Sequence, residues 1–537
     1  MMPPTFHVEH FGCRAARADG EAIGDRLHAE GHCMRQPSEA DVVIVNTCSV
    51  TAEADRAARA FIRRAHRLNP QARIVVTGCY AQRAPQELAA IPGVAAVVGN
   101  SHKALAPGIA LGLMGTQAPQ ARSGLIQINA AQAASAPPQL VWADDRFAHS
   151  FLDETQLVPG SQTRPNLKIQ EGCGNRCSFC VIPQTRGPSK SLPAAGILRQ
   201  VQGFVAAGGN ELVLSGINLG RWGRDLQAEA RPEPLKGAGS SESLSEAMKG
   251  TGFSPYIKAP GQLWALAPEG SLSAPFPNAR QIAPNSLAVL VRQIFRETAL
   301  PRLRLSSIEP MDWDAELIAL LAEFGGARLA RHAHLPLQSG SDAVLRRMHR
   351  RYRPWHYAEK VDALLRAAGP DLTLGADVMV GFPGETDAEF EETRSLIREL
   401  PFGYLHLFPF SPRPGTRAWA LHAEHPVPAA VVDERMAALR ELAAEKTKTH
   451  RSCFVGRAID AITLHTQPAL ESRGRTSALA ENFLPVEIEG QLPANRLVRV
   501  RVTGMTADGT LAATAAGESK LPSAASFSSA GHNSVAL

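Results

Sequence analysis

The sequence predicts an α/β chain in three structured parts: an N-terminal parallel α/β domain, a central partial (β/α)6 barrel and a small C-terminal β-barrel. Two series in which short apolar runs alternate with helical patterns carry the first two parts, because such alternation means parallel strands joined by crossover helices. A run of short strand-like segments near the end carries the third. The length of 537 residues suits about three to four domains at roughly 150 residues each.

Residues 4–115 hold the first series. "FHVEHFGC", "DVVIVNTC" and "ARIVVTGC" are its strand candidates. Between the last two, Ala54, Ala57, Phe61, Ala65 and Leu68 share one helical face, and Pro70 stops the helix. Residues 116–160, rich in Ala, Gln, Ser and Pro, read as a connection. The second series occupies 161–430, with strand candidates "NLKIQ", "ELVLSG", "RLRLSS", "RHAHLPL", "LGADVMVG" and "YLHLFPF". Six β/α units imply a curved partial barrel rather than the full eight-unit one. Residues 226–284, rich in Pro, Gly and Ser, read as a disordered insertion in a surface loop. Residues 431–450 form a linking helix, 451–515 the small β-barrel, and 516–537 a disordered tail.

Hydrophobic content of 44% and charged content of 20% are ordinary for a soluble chain. The net charge of +5 permits nucleic-acid binding without establishing it. No signal peptide and no membrane-length apolar run are visible, so the expectation is a cytoplasmic protein without a membrane partner. Its eight cysteines are then expected to be reduced, and clustered ones to bind metal or act in catalysis.

Six cysteines stand out. Cys13, Cys48 and Cys79 each follow a strand candidate. The carboxyl ends of parallel strands lie on one edge, where ligand sites form. The competing reading is three unrelated buried thiols. Cys173, Cys177 and Cys180, in "EGCGNRCSFCVIPQTRG", have C-x3-C-x2-C spacing on the loop after the first barrel strand, the face that carries active sites. A structural zinc site or an electron-transfer 4Fe–4S cluster takes four protein ligands. Three leave one metal position open to an exogenous molecule. A three-thiol zinc site with a distant His is the alternative.

This loop resembles that of the radical S-adenosylmethionine superfamily. Across residues 5–110, 164–225 and 285–510, "VVIVNTCSVT", "IVVTGCYAQ", "EGCGNRCSFCVIPQTRG", "ELVLSGINLGRWG", "LSSIEP", "HLPLQSGSDAVLRRM" and "ADVMVGFPGET" are similar to the methylthiotransferase family, whose last domain is the small TRAM barrel. The resemblance implies two 4Fe–4S clusters and S-adenosyl-L-methionine. Cys13, Cys48 and Cys79 would ligate an auxiliary cluster that carries the sulfur. Cys173, Cys177 and Cys180 would ligate the radical-generating one. One S-adenosylmethionine would supply methyl and a second the radical that opens a C–H bond. The family's branches act on isopentenyladenosine in tRNA, threonylcarbamoyladenosine in tRNA, or an aspartate of a ribosomal protein. "RGPSKSLP" and "LSGINLGRWGRDL" look like the threonylcarbamoyladenosine branch. The implied partners are a tRNA anticodon stem-loop, a flavodoxin- or ferredoxin-like electron donor and a sulfur source.

Strand-end polar residues Ser215, Asn218, Ser307, Glu309 and Gln338 are expected to contact S-adenosylmethionine, with ordinary strand-end capping as the alternative. Ser339 follows a strand end similarly, Asp377 within "ADVMVG" is expected to face the barrel interior, and "GFPGET" reads first as a turn, with a cofactor contact as the alternative. Arg346, Arg347, Arg350, Arg351 and Arg353 are expected to contact RNA phosphates, against a solvated helix face; Arg56, Arg59, Arg63, Arg64 and Arg67 form a second such run. Phe483 is a candidate for base stacking. Cys33 and Cys453 read as plain thiols. Ala16 stands where family members usually carry Asn, which puts the packing near Cys13 in question.

Overall fold

The computed structural model describes residues 3–114, 140–147, 164–229 and 285–518. The first sheet contains β1 (Thr5–His10), β2 (Cys33–Met34), β3 (Val42–Thr47), β4 (Arg73–Gly78), β5 (Val94–Gly99) and β6 (Leu140–Trp142). All pair in parallel, in the order β2-β1-β3-β4-β5-β6. Alternate residues feed two cores. Val43, Val45, Ile74 and Val76 pack with Phe61, Ile62 and Ala65 of the helix Ala52–Leu68. Val42, Ile44, Val75 and Val98 pack with Ile23 and Leu27 of the helix Arg14–Ala29. A sheet covered on both faces reads as continuous apolar runs, as "VVIVNT" does.

Three sequence expectations change here. The buried face of the helix Ala52–Leu68 is Asp55, Ala58, Phe61, Ile62 and Ala65; Ala54 is half-buried, Ala57 exposed and Leu68 exposed. Alanines mark a face weakly, and Asp55 turns inward because Arg83 and Arg413 both reach its carboxylate. β5 lies in "VAAVVG", an apolar run that periodicity cannot divide between helix and strand. β6 falls in the stretch read as connection and adds a sixth strand; three residues are too short for a pattern.

The central part is an arc of six parallel strands. β7 (Asn166–Glu171), β9 (Glu211–Gly216) and β10 (Arg302–Leu305) form one sheet, with β8 (Lys190–Ser191) antiparallel at its edge. β11 (His332–His334), β12 (Thr373–Val380) and β13 (Phe402–Pro409) form the other. The Ile308 N–H donates to the His334 carbonyl at 3.1 Å across the seam. One core of buried Leu, Ile, Val and aromatic side chains joins strands and outer helices. The helix Ala429–Ser452 packs on β13 and contributes Met436, Leu439 and Leu442 to that core, so it covers the arc as well as linking. Of the stretch read as an insertion, residues through Glu229 belong to the helix Arg224–Glu229, and 230–284 lie outside the described residues.

β14 (Ala458–Thr463), β15 (Arg475–Ala480), β16 (Pro485–Glu489), β17 (Leu497–Met505) and β18 (Leu511–Glu518) close a barrel in the order β14-β15-β16-β18-β17. β18 thus takes the first residues of the expected tail, and 519–537 lie outside the described residues. The barrel docks on the amino-terminal ends of the central strands. Glu481 accepts from the Arg331 Nε at 2.8 Å, Asn482 donates to the Asp371 carbonyl at 3.1 Å, and Asn210 donates to the Asn495 carbonyl at 2.8 Å. Phe483, at φ +72°, lies 4.4 Å from the His332 ring and 5.4 Å from the Arg304 guanidinium. The ring is half-buried and engaged at this interface. Among the described residues no helix is long and apolar enough to cross a membrane.

Candidate functional site

The strand order reverses between β1 and β3, since the chain steps outward to β2 and returns on the other side. In open parallel sheets the carboxyl ends of the strands at such a reversal are where ligands bind. Cys13 is the N-cap of the helix Arg14–Ala29, Cys48 directly follows β3, and Cys79 opens the helix Cys79–Arg83 after β4. Three neighbouring strands therefore deliver three thiols to one edge. Gly12 has φ +109°, and a Cβ there would lie 2.6 Å from the Cys48 Sγ, so the loop closes on Cys48 only with glycine. The Asn46 amide donates to the Ala16 carbonyl, supplying a side-chain amide beside the position where the family's Asn is missing.

Cys173, Cys177 and Cys180 lie on the loop after β7. Gly172 (φ +68°) permits its sharp turn, because a Cβ would meet the Pro188 carbonyl oxygen at 2.0 Å. The Cys173 N–H donates to the Gly187 carbonyl at 3.1 Å and the Ser178 N–H to the Met348 carbonyl at 3.0 Å, pinning both ends of the loop. The helix Ile182–Arg186 that follows packs against the helix Cys79–Arg83, so the two trios share one interface.

The chemistry of the donors around these thiols tests whether they suit an iron centre. Cys48 accepts from the Val50 N–H at 3.5 Å, and Cys79 from the Arg186 Nε at 3.2 Å and the Asn100 Nδ2 at 3.4 Å. Cys173 accepts from the Asn175 N–H at 3.4 Å and the Asn218 Nδ2 at 3.6 Å. Cys177 accepts from the Arg350 Nη1 at 3.3 Å and Cys180 from the Ile182 N–H at 3.5 Å. Neutral sulfur is a weak acceptor, so donors converging on five of six sulfurs suit thiolates. Burial pushes the Cys48 and Cys180 thiols up to about 12, and the other thiols of each trio push the same way. A bound cation relieves both penalties and deprotonates its ligands. Among the described residues no group of three or more His, Cys, Asp or Glu side chains is placed to hold a metal ion. Cys33 and Cys453 are exposed and free.

Several buried polar groups lie at or just beyond the carboxyl ends of the central strands. The Ser215 Oγ, Asn218 Oδ1 and Gln338 Oε1 are buried and have no hydrogen-bond partner among the described residues. Gln338 is held at φ +64° by backbone bonds to β12. Ser307 is half-buried. Glu309 accepts from the Arg350 Nη2 at 2.5 Å, and with Asn175, Arg176, Cys177, Met311, His349, Arg350 and Arg351 it lines a depression beside Cys177. Ser339 bonds Thr393, and the Asp377 carboxylate lies 3.2 Å from the His334 Nε2. The Glu385 carboxylate of "GFPGET" accepts from the Gly381 N–H and from Arg435, which makes this a structural turn.

The arginine run does not act as one surface. Arg350 is buried, with all of its bonds directed to Cys177, Glu309 and Tyr352, which corrects its reading as an RNA contact. Arg347 makes a two-pronged pair with Glu389. Arg346 and Arg353 both pair with Asp342, and exposed Arg351 lies 3.9 Å from Asp312. Of the earlier run, Arg56, Arg63, Arg64 and Arg67 are exposed, whereas Arg59 bonds the Tyr80 hydroxyl and Glu87. Sequence reasoning missed Arg186. Its position six residues after Cys180 is visible in the sequence, but its reach to Cys79 depends on how the two sheets dock.

Residues 5–99 match the family model described as "Uncharacterized protein family UPF0004", and residues 283–397 match "Radical SAM superfamily". The chain is 31% identical over 506 residues to the threonylcarbamoyladenosine tRNA methylthiotransferase MtaB of Bacillus subtilis, covering 94% of each chain. It is 29% identical to the protein of the same name from Aquifex aeolicus, covering 92% of this chain and 99% of that one. The tRNA-2-methylthio-N(6)-dimethylallyladenosine synthase of Geobacter metallireducens is 30% identical over 84% of this chain and 85% of its own.

Proposed function

The chain belongs to the radical S-adenosylmethionine methylthiotransferase family, and on that premise we propose that it adds a methylthio group to C2 of N6-threonylcarbamoyladenosine next to the anticodon of tRNA. The observation that carries this reading is the meeting of two cysteine trios from separate sheets across one buried helix contact. Such a reaction needs a sulfur-bearing centre close to a radical-generating one.

Cys13, Cys48 and Cys79 hold one 4Fe–4S cluster in this reading, and Cys173, Cys177 and Cys180 hold the other. When bound, these groups and S-adenosylmethionine supply the electron, the carbon-centred radical, the sulfur and the methyl group. The chain's own residues bind, orient and exclude water. Asn218 ties Cys173 to Gln170, because its Nδ2 reaches the sulfur while its N–H donates to the Gln170 Oε1 at 2.6 Å. Its spare Oδ1, with the unpartnered Ser215 Oγ and Gln338 Oε1, offers acceptors and a donor to the amino, carboxylate and ribose groups of S-adenosylmethionine. Glu309 and Ser307 border the same region. Arg350 fixes Glu309 and Cys177 together. An electron donor of flavodoxin or ferredoxin type and a sulfur source complete the cycle.

"RGPSKSLP" and two relatives named for threonylcarbamoyladenosine support that substrate. The relative named for dimethylallyladenosine supports a second reading on the isopentenyl nucleoside. Mass spectrometry of tRNA nucleosides from strains with and without this protein separates them. We expect the methylthiolated threonylcarbamoyl nucleoside to vanish and its unmodified parent to accumulate. Loss of the isopentenyl product instead would move the assignment to the second reading. An unchanged nucleoside set would point to the ribosomal-protein aspartate.

A further inference from the structure

We propose that Arg186 is a positioning residue that raises the reduction potential of the iron–sulfur centre on Cys13, Cys48 and Cys79 by presenting to Cys79 a buried guanidinium from a network whose cations outnumber its carboxylates. The inference rests on the reading of that trio as cluster ligands.

Arg186, Asp19, Lys103, Lys168 and Glu171 form a buried charge network at the contact between the first sheet and the central arc. Asp19 comes from the helix Arg14–Ala29, Lys103 from the segment after β5, Lys168 and Glu171 from β7, and Arg186 from the helix after the Cys173 loop. The Lys103 Nζ donates to Asp19 at 2.6 Å, and Lys168 contacts Asp19 and donates to Glu171 at 2.6 Å. Each carboxylate therefore already has a lysine. Arg186 adds a third cation to two anions: its Nη1 donates to Glu171 at 2.6 Å, its Nη2 lies 3.2 Å from Asp19, and its Nε donates to the Cys79 Sγ at 3.2 Å. A guanidinium cannot shed its proton in a protein, so among the described residues of this network one positive charge is in excess, with the Arg186 Nε–H on the sulfur. Uncompensated buried charge is severely disfavoured. An anionic centre on Cys79 is the partner that completes the network. Net charge and hydrogen bonds to the ligand sulfurs set cluster potentials, and a fixed cation stabilises the reduced, more negative state. Glu171 also stands two residues before Cys173, so the same guanidinium ties the two trios into one body.

The test uses the full chain with Cys173, Cys177 and Cys180 replaced by Ala, reconstituted with iron and sulfide and titrated anaerobically with dithionite, with reduction followed by electron paramagnetic resonance. Arg186→Gln removes the leftover charge and should lower the midpoint by at least the 59 mV that corresponds to a tenfold change in the ratio of reduced to oxidised centre. Glu171→Gln adds a net positive charge and should shift it the opposite way, so the sign can be read even if Arg186→Gln folds poorly. The double variant Arg186→Gln/Glu171→Gln restores the charge balance and should return most of the way. Midpoints that ignore both single substitutions, while iron content stays at the parent level, overturn the role of Arg186. Failure of the Cys173, Cys177 and Cys180 variant itself to bind iron overturns instead the reading of the first trio.

Discussion

Gly12 is the position where a single methyl group tests the geometry of the first trio. In Gly12→Ala the new Cβ would sit 2.3 Å from the Cys48 Cβ and 2.6 Å from its Sγ, far inside the 3.5–4.0 Å of a relaxed carbon contact. The φ of +109° adds a backbone penalty of roughly 1–2 kcal/mol for a residue with a side chain. Cys48 cannot retreat easily, since it follows a strand whose six residues are all buried, and overpacking of this kind costs about 1–3 kcal/mol. The sum is about 2–5 kcal/mol, part of it expressed as displacement of Cys48. Gly31→Ala separates the two contributions, because Gly31 has φ +86° and nothing within 4 Å of its Cβ position. Urea denaturation should place Gly31→Ala about 1–2 kcal/mol below the parent and Gly12→Ala a further 1–3 kcal/mol lower. Iron bound after reconstitution should fall in Gly12→Ala and stay at the parent level in Gly31→Ala. Equal stability losses, with equal iron, would show that the loop does not press on Cys48 and that the placement of Cys13 beside Cys48 is wrong.

Other substitutions probe other joints of the molecule. Arg350→Met leaves Glu309 and Cys177 without their shared cation; a loss of about 3–5 kcal/mol in chemical denaturation is expected, as for a broken buried pair, together with weaker S-adenosylmethionine binding by equilibrium dialysis. Glu481→Gln weakens the bonds from Arg331 that dock the C-terminal barrel, so calorimetry should show a loss of about 1–3 kcal/mol and a separate barrel transition. Arg304, Arg164 and Arg302 hold the fully buried Glu211 carboxyl below its ordinary range against the opposing effect of burial. Its stabilising contribution is therefore present above about pH 4.3, the unfolded value, and is lost as pH falls through the lower folded value. Denaturation midpoints measured between about pH 6 and 3 should drop for the parent and drop less steeply for Glu211→Gln, which has already lost the interaction.

Much of the fold is legible because it is written locally. "VVIVNT", "ELVLSG" and "LGADVMVG" are short runs dominated by β-branched and apolar residues between helical patterns, and each forms a buried parallel strand. The six cysteines are legible for a related reason: Cys13, Cys48 and Cys79 sit at or just beyond strand ends, Cys173, Cys177 and Cys180 share the loop after β7, and strand ends of a parallel sheet share an edge. What depends on docking was not legible. Arg350 looks like its neighbours Arg346 and Arg351 in "LRRMHRRYR", yet the turn after the helix Asp342–Arg347 drives it inward to Cys177. Phe483 sits on a hairpin that any barrel could expose, and only the seating of that barrel under β11 and β13 buries one side of its ring. Arg186 lies in plain sight within "PQTRG", but the partners that give it meaning are 15 to 167 residues away in sequence.

The central claim is that two independent trios of thiolates each hold an iron–sulfur cluster. Iron and acid-labile sulfide counted per chain after anaerobic reconstitution test it directly, in the parent, in the Cys13, Cys48 and Cys79 triple-alanine variant, and in the Cys173, Cys177 and Cys180 triple-alanine variant. The account predicts about eight irons in the parent and about four in each variant, as two clusters of four irons require. About four irons in the parent, or a triple variant that loses all of them, would contradict it.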